Sequence, residues 1–313
     1  MSKRVLIYIA IAIVLLYAVR AFEYAGIRRA KGGEFEKLYT IFEKENDFDL
    51  LIIGSSRAEC QFYSPIIDSA TGLRTYNIGM TGATMPFIAT TLEAYLVHSK
   101  APEYVVLNLD LHTLGDNTDT VYHFPRYFAF LDNEKLYEGL QEHDKRFFYF
   151  KWFPFYSMTY FGDRYRSNVA YGWLGKSTKF DAGYAQGFAP TYTDPKLGDL
   201  DTTTIVETHA EIPAAVWEGV NRIRECCAAN NVHLVFAVSP LFPRQEEHVS
   251  SYERSLQAFQ EYATQNNITW INLGQDSIRY RKDLYADPAH LNTQGAVLFT
   301  RHFCSALSQY LVK

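Results

Sequence analysis

The run 50–53, Leu-Leu-Ile-Ile, lies between Asp49 and Gly54. Four consecutive apolar residues so bounded predict a strand buried on both faces, as in a parallel sheet. Comparable runs recur at 73–78, 104–111, 232–238 and 268–273. Between them, apolar positions at helical spacing predict helices over 34–46, 64–70, 86–99, 214–230, 246–266 and 292–311. Pro86 suits a first helical turn, and Asn292 suits a cap. Strands alternating with helices predict an α/β fold whose parallel sheet is joined by crossover helices.

Two stretches break this rhythm. Positions 122–188 hold 22 of the chain's 49 aromatic residues, in runs such as Phe147-Phe148-Tyr149-Phe150. Such a segment is expected to cap a site, to lie on lipid headgroups, or to form a small aromatic subcore. The other stretch is N-terminal: Lys3 and Arg4 precede an unbroken apolar run from Val5 to Val19. As a helix that run spans only about 22 Å, against roughly 30 Å of bilayer hydrocarbon. It is either a signal-peptide core or part of a tilted signal anchor extended through Phe22 and Tyr24, with Arg20 snorkelling. The anchor reading is preferred, although Arg28, Arg29 and Lys31 then fall on the outer side, against the usual charge bias.

Composition narrows the options. A net charge of −5 and the lack of a basic stripe exclude a general case for nucleic acid. The cysteines Cys60, Cys226, Cys227 and Cys304 fit no zinc spacing, and adjacent Cys226 and Cys227 cannot easily pair with each other, so buried free thiols are expected. The 191–204 stretch, rich in Asp, Pro, Gly and Thr, reads as a loop.

The chemistry begins where the first strand ends. Ser56 follows Gly54-Ser55 at the carboxyl end of a parallel strand, where open α/β sheets place their ligands. The helix expected to follow would leave backbone N–H groups free for a developing oxyanion. A serine needs a base, and Asp287-Pro-Ala-His290 offers one: His290 as base, with Asp287 to fix its tautomer. Along the third strand Asn108, Asp110 and His112 alternate with leucines and would face one way, as a polar rim or, less in keeping with the spacing, a metal site. Arg57 is a candidate for binding an anionic substrate group or pairing with a carboxylate.

These blocks resemble the SGNH/GDSL hydrolase superfamily, within it the membrane-anchored, acyltransferase-like branch whose first block is Gly-Ser-Ser. Gly54-Ser55-Ser56 matches the first block, with Ser55 in place of the usual Asp; Asn77-Ile-Gly79-Met-Thr-Gly82 matches the second; Asp287-Pro-Ala-His290 with Asn292 and Gly295 matches the fifth. The resemblance implies a flavodoxin-like three-layer sandwich around a central parallel sheet, no cofactor and no metal. It also implies a triad of Ser56, Asp287 and His290, and an oxyanion hole using the N–H groups of Ser56 and Gly82. The third block departs from Gly-x-Asn-Asp: strand length puts His112 at the Asn position, whereas Gly115-Asp116-Asn117 offers an Asn five residues late. His112 is preferred as the third donor, and Asn117 is kept as a substrate-binding candidate.

The expected organisation is an anchor over residues 1–27 and one α/β domain over 34–313, with an insertion at about 120–205. The expected activity is that of an extracytoplasmic, membrane-tethered esterase or O-acyltransferase acting on acylated cell-envelope glycans. The alternative is a catalytically silent relative that binds polysaccharide or scaffolds a membrane-bound acyltransferase.

Overall fold

The apolar runs become a five-stranded sheet in the computed structural model, which describes residues 2–115, 121–177, 183–192, 211–243 and 252–311. The chain divides into two compact units, Met1–Lys44 with His123–Gly183, and Glu45–Tyr122 with Tyr184–Lys313.

The second unit is the α/β body. Its strands are β1 (Leu50–Ile53), β2 (Thr75–Asn77), β3 (Tyr104–Leu109), β4 (His233–Val238) and β5 (Thr269–Asn272). They lie in the order β2-β1-β3-β4-β5, all parallel. This is the flavodoxin-like order, in which the connections reverse direction between β1 and β3. Both faces of the central strands β1, β3 and β4 are covered, which is why they read as largely apolar runs rather than alternating ones. On one face Leu50, Ile52, Val106, Val235 and Ile271 pack with Phe62, Phe299, Phe303 and Leu307. On the other, Phe236 meets Phe259, which stacks on Trp217 at 4.6 Å.

The helices of this unit are α3 (Ser56–Gln61), α4 (Ser64–Thr71) and α5 (Met85–Leu96) in its first half. A helix over Ala214–Ala229, one over Tyr252–Gln265 and a closing helix over Thr293–Leu307 follow. The Asn292 side chain caps the closing helix by accepting the Gly295 N–H. Most elements fall within a few residues of their expected bounds, but two expectations need correction. The third strand stops at Leu109 rather than continuing to Leu111, because Asp110 turns the chain: its carboxylate accepts the N–H groups of His112 and Thr113. His112 is therefore not on a strand face with Asn108. The strand expected at Ile268–Leu273 is present as β5 and is the last of the sheet, but it is not the last of the chain, since Tyr285–Asp287 and His290–Leu291 form a small antiparallel ribbon.

The first unit holds α1 (Lys3–Arg28), α2 (Glu34–Phe42), a 3-10 segment over Phe124–Phe130, and α6 (Glu134–His143). It also holds α7 (Arg146–Trp152), α8 (Pro154–Met158) and α9 (Asp163–Trp173). α1 is long and apolar enough to cross a membrane, and lies where a signal sequence or an anchor would. Part of the aromatic segment forms a true subcore: Phe128, Phe147 and Phe150 are fully buried, with the Phe128 and Phe150 rings 4.4 Å apart. Glu34 holds this unit's segments together by pairing with Arg126 at 2.8 Å and Arg164 at 3.3 Å.

Candidate active site

From Leu50 to Phe62 every residue is buried except Ser56. The backbone arrives there through Gly54, whose φ of +147° lies outside the range open to other residues; a Cβ on it would sit 2.7 Å from that of Ala58 and 3.2 Å from the Asn108 carbonyl. Ser55 then caps α3 by accepting the Arg57 N–H, so Ser56 becomes the first residue of the helix. The sharp exit from β1 thus presents one hydroxyl at the carboxyl end of the sheet, beside the point where the strand order reverses.

The Ser56 hydroxyl lies 2.8 Å from His290 Nε2. On the far side of the ring, Nδ1 is 2.9 Å from both Asp287 carboxylate oxygens. An ionised carboxylate only accepts, so Nδ1 carries the proton and Nε2 presents a lone pair to the hydroxyl. Asp287 and His290 face each other across the tip of the ribbon, where the carboxylate also accepts the Ala289 and His290 N–H groups. Burial alone would push the Asp287 carboxyl up. The hydrogen bonds from the His290 ring and from the two N–H groups outweigh it and hold the carboxyl below the usual range.

The ribbon is tied directly to the helix that Ser56 opens. The Gln61 amide, at the end of α3, donates to the Ala289 carbonyl at 3.3 Å. Thr300 on the closing helix donates its hydroxyl to the Gln61 carbonyl and accepts the Tyr63 N–H. Thr191 donates its hydroxyl to the Leu291 carbonyl, strapping the ribbon from outside.

Gly82 lies in the loop after β2. Its φ of +74° and the Tyr122 ring, which a Cβ would overlap, leave room for no larger residue. Among the described residues the N–H groups of Ser56 and Gly82 meet no acceptor, so both are available to a ligand. Two residues that the sequence did not single out shape this loop. Asn77 donates its amide to the Ala58 and Phe62 carbonyls and accepts the Gly79 N–H. Glu59, buried on α3, accepts both the N–H and the hydroxyl of Thr81, at 2.8 and 2.6 Å. A charged residue amid Ala58 and Cys60 in so apolar a stretch was the available signal for Glu59.

The remaining candidates fare differently. Among the described residues Arg57 forms no ion pair; it is 4% exposed and donates to the Ser239 and Pro240 carbonyls beyond β4, at 2.9 and 2.6 Å. It braces the sheet end instead of facing solvent. His112 is half-buried in the turn that Asp110 organises, and its N–H is held by that carboxylate. Asn117 lies outside the described residues. Among the described residues no group of His, Cys, Asp and Glu could hold a metal ion.

The chain matches no family model and no curated protein. It is similar to several solved structures, each 12% identical. A Bacteroides fragilis protein assigned as an acylhydrolase gives a TM-score of 0.43, over 88% of this chain and 94% of its own. An acetyl xylan esterase gives 0.42 over 82% and 99%. A GDSL-like lipase from Bacteroides thetaiotaomicron gives 0.41 over 92% and 100%.

Proposed function

We propose that the chain is an SGNH-type serine esterase or O-acyltransferase, tethered by α1 and acting on acyl esters of cell-envelope glycans outside the membrane. The observation that carries this reading is the unbroken line of hydrogen bonds from the Ser56 hydroxyl through His290 to Asp287. A hydroxyl so placed loses its proton to Nε2 as Oγ attacks an acyl carbonyl. The carbonyl oxygen becomes an oxyanion held by the N–H groups of Ser56 and Gly82. As the tetrahedral intermediate collapses, His290 returns the proton to the departing alcohol and an acyl-serine remains. Water or a sugar hydroxyl then attacks the acyl group, with His290 again the base. Asp287 stays ionised throughout and holds the ring in the tautomer that each step needs.

The glycan ester as substrate follows from the resemblance of the Gly54-Ser55-Ser56 and Asp287-Pro-Ala-His290 blocks to the membrane-anchored branch. A silent binding or scaffolding protein is the second reading, and the departure of the third block at His112 favours it. A fluorophosphonate probe separates the two. An active enzyme is labelled at Ser56, and labelling is lost in His290→Ala as well as in Ser56→Ala. A wild-type chain that stays unlabelled under conditions where it is folded leaves only the silent reading. Release of p-nitrophenol from its acetate, with and without an added glycan acceptor, then tells hydrolysis from transfer.

A further inference from the structure

The aromatic segment is only half used by the subcore. On α7, Phe147 and Phe150 point inward and are fully buried, while Phe148, Tyr149 and Trp152 are 43–52% exposed. Phe153 and Phe155, at the start of α8, are 45% and 58% exposed. A helix pair apolar on both sides costs free energy in water unless something covers the outer side.

What covers it follows from where α1 meets this pair. The Tyr17 hydroxyl donates to the Trp152 carbonyl, the Arg20 guanidinium donates to the Lys151 carbonyl, and the Tyr24 hydroxyl reaches Ser157. Positions 17, 20 and 24 form one stripe along α1, so α7 and α8 lie beside the helix at that depth. The apolar run that ends at Val19 falls about 8 Å, or about five residues of helix, short of a bilayer's hydrocarbon. Those five residues are Arg20–Tyr24, the level at which the exposed aromatics sit. Beside them a cavity of about 370 Å³ is lined by Arg20 and Lys151, and by Arg28, which pairs with the cavity's one carboxylate, Asp132. Two of the three cations that seemed misplaced for an outer flank are engaged by protein: Arg28 with Asp132 and Glu43, and Arg29 over the Trp173 ring at 4.1 Å.

We propose that the exposed aromatics of α7 and α8 seat the first unit in the interface of the bilayer that α1 enters, with the basic cavity facing anionic headgroups. Tyr and Trp favour this zone because one end is apolar and the other can stay wet, Phe buries its ring at the acyl boundary, and Arg and Lys there meet lipid phosphate. The platform completes the short apolar run of α1. The proposal rests on α1 being an anchor and is independent of the Ser56 chemistry.

The test uses the full chain in nanodiscs of equal parts phosphatidylcholine and phosphatidylglycerol. Hydroxyl-radical footprinting reads Phe148, Trp152 and Phe155 against Tyr280 and Tyr310 of the second unit, which are 68% and 49% exposed. After normalising for intrinsic reactivity, the platform residues are expected to be modified about an order of magnitude less than the two tyrosines. A second measurement uses Trp173→Phe/Trp217→Phe/Trp270→Phe, in which Trp152 is the remaining tryptophan; lipids brominated high on the acyl chain are expected to quench it and aqueous iodide is not. Full modification of the platform while α1 is protected overturns the proposal and leaves the anchor standing. Modification of α1 as well removes both. Protection confined to discs holding two chains assigns the patch to a second copy and also overturns it.

Discussion

The Ser55 hydroxyl donates to the Asp110 carboxylate at 2.6 Å, linking the carboxyl ends of the neighbouring strands β1 and β3. Asp110 is fully buried, and its carboxylate also accepts the Asn108 amide and the His112 and Thr113 N–H groups. A carboxyl group at the end of the neighbouring strand thus fixes the residue that precedes Ser56. Asp110→Ala strands several buried donors at once and is expected to cost about 3 kcal/mol or more. Urea denaturation measures this; an unchanged midpoint would remove Asp110 from the account of how Ser56 is positioned.

Asp287→Asn keeps an acceptor for the Ala289 and His290 N–H groups but favours the wrong imidazole tautomer. It is expected to lower kcat by up to about four orders of magnitude while the chain stays folded. Steady-state kinetics on p-nitrophenyl acetate beside circular dichroism would show both halves. Activity within a few-fold of wild type would argue against the triad.

The same carboxyl sets an acid limit. Its pKa is held below the ordinary value in the folded chain, so its contribution to stability is fully present above the unfolded carboxylate pKa of about 3.9 and is lost as pH falls through the depressed value. The difference in urea midpoint between wild type and Asp287→Asn is therefore expected to shrink below about pH 4. A difference that grows on acidification would reverse the sign argued here.

Glu59 touches no reacting atom; it positions Gly82 by holding Thr81. Glu59→Gln weakens two charge-assisted bonds and is expected to lower kcat about tenfold with KM little changed. Gly82→Ala is expected to do more, because the side chain both overlaps Tyr122 and strains a positive φ. If KM alone moved in Glu59→Gln, the loop would serve substrate binding instead of the oxyanion.

Burial pushes the thiol of Cys227 up to about 12 and those of Cys226 and Cys304 up to about 11. The thiolate is the reactive form, so iodoacetamide at pH 8 is expected to leave these three unmodified until denaturant is added. Mass spectrometry of the tryptic peptides checks this. Rapid labelling of the native chain would mean that these helices open readily.

Local pattern alone determined much of this protein. Mostly apolar runs at 50–53, 104–109 and 232–238 predicted the central strands of the sheet, since a strand covered on both faces has no reason to alternate. The turn at Gly54-Ser55-Ser56 and the three-residue spacing of Asp287 and His290 were equally readable, because strand ends and tight turns depend on neighbours in sequence. Other features depended on groups far apart in the chain. Asp110, read in sequence as one of three alternating polar positions within the third strand, accepts a hydroxyl from residue 55 and the N–H of His112, and so stops β3 and draws His112 off the strand face. Gln61 reaches Ala289 across a separation of 228 residues, a contact no spacing rule contains. The aromatic segment is the plainest division: composition left it open to cap a site, to lie on lipid headgroups or to form a subcore, and only the packing of the first unit sorted its rings into those that form a core and those left exposed. Pattern specifies which residues avoid water; which neighbours replace the water is decided when the chain closes on itself.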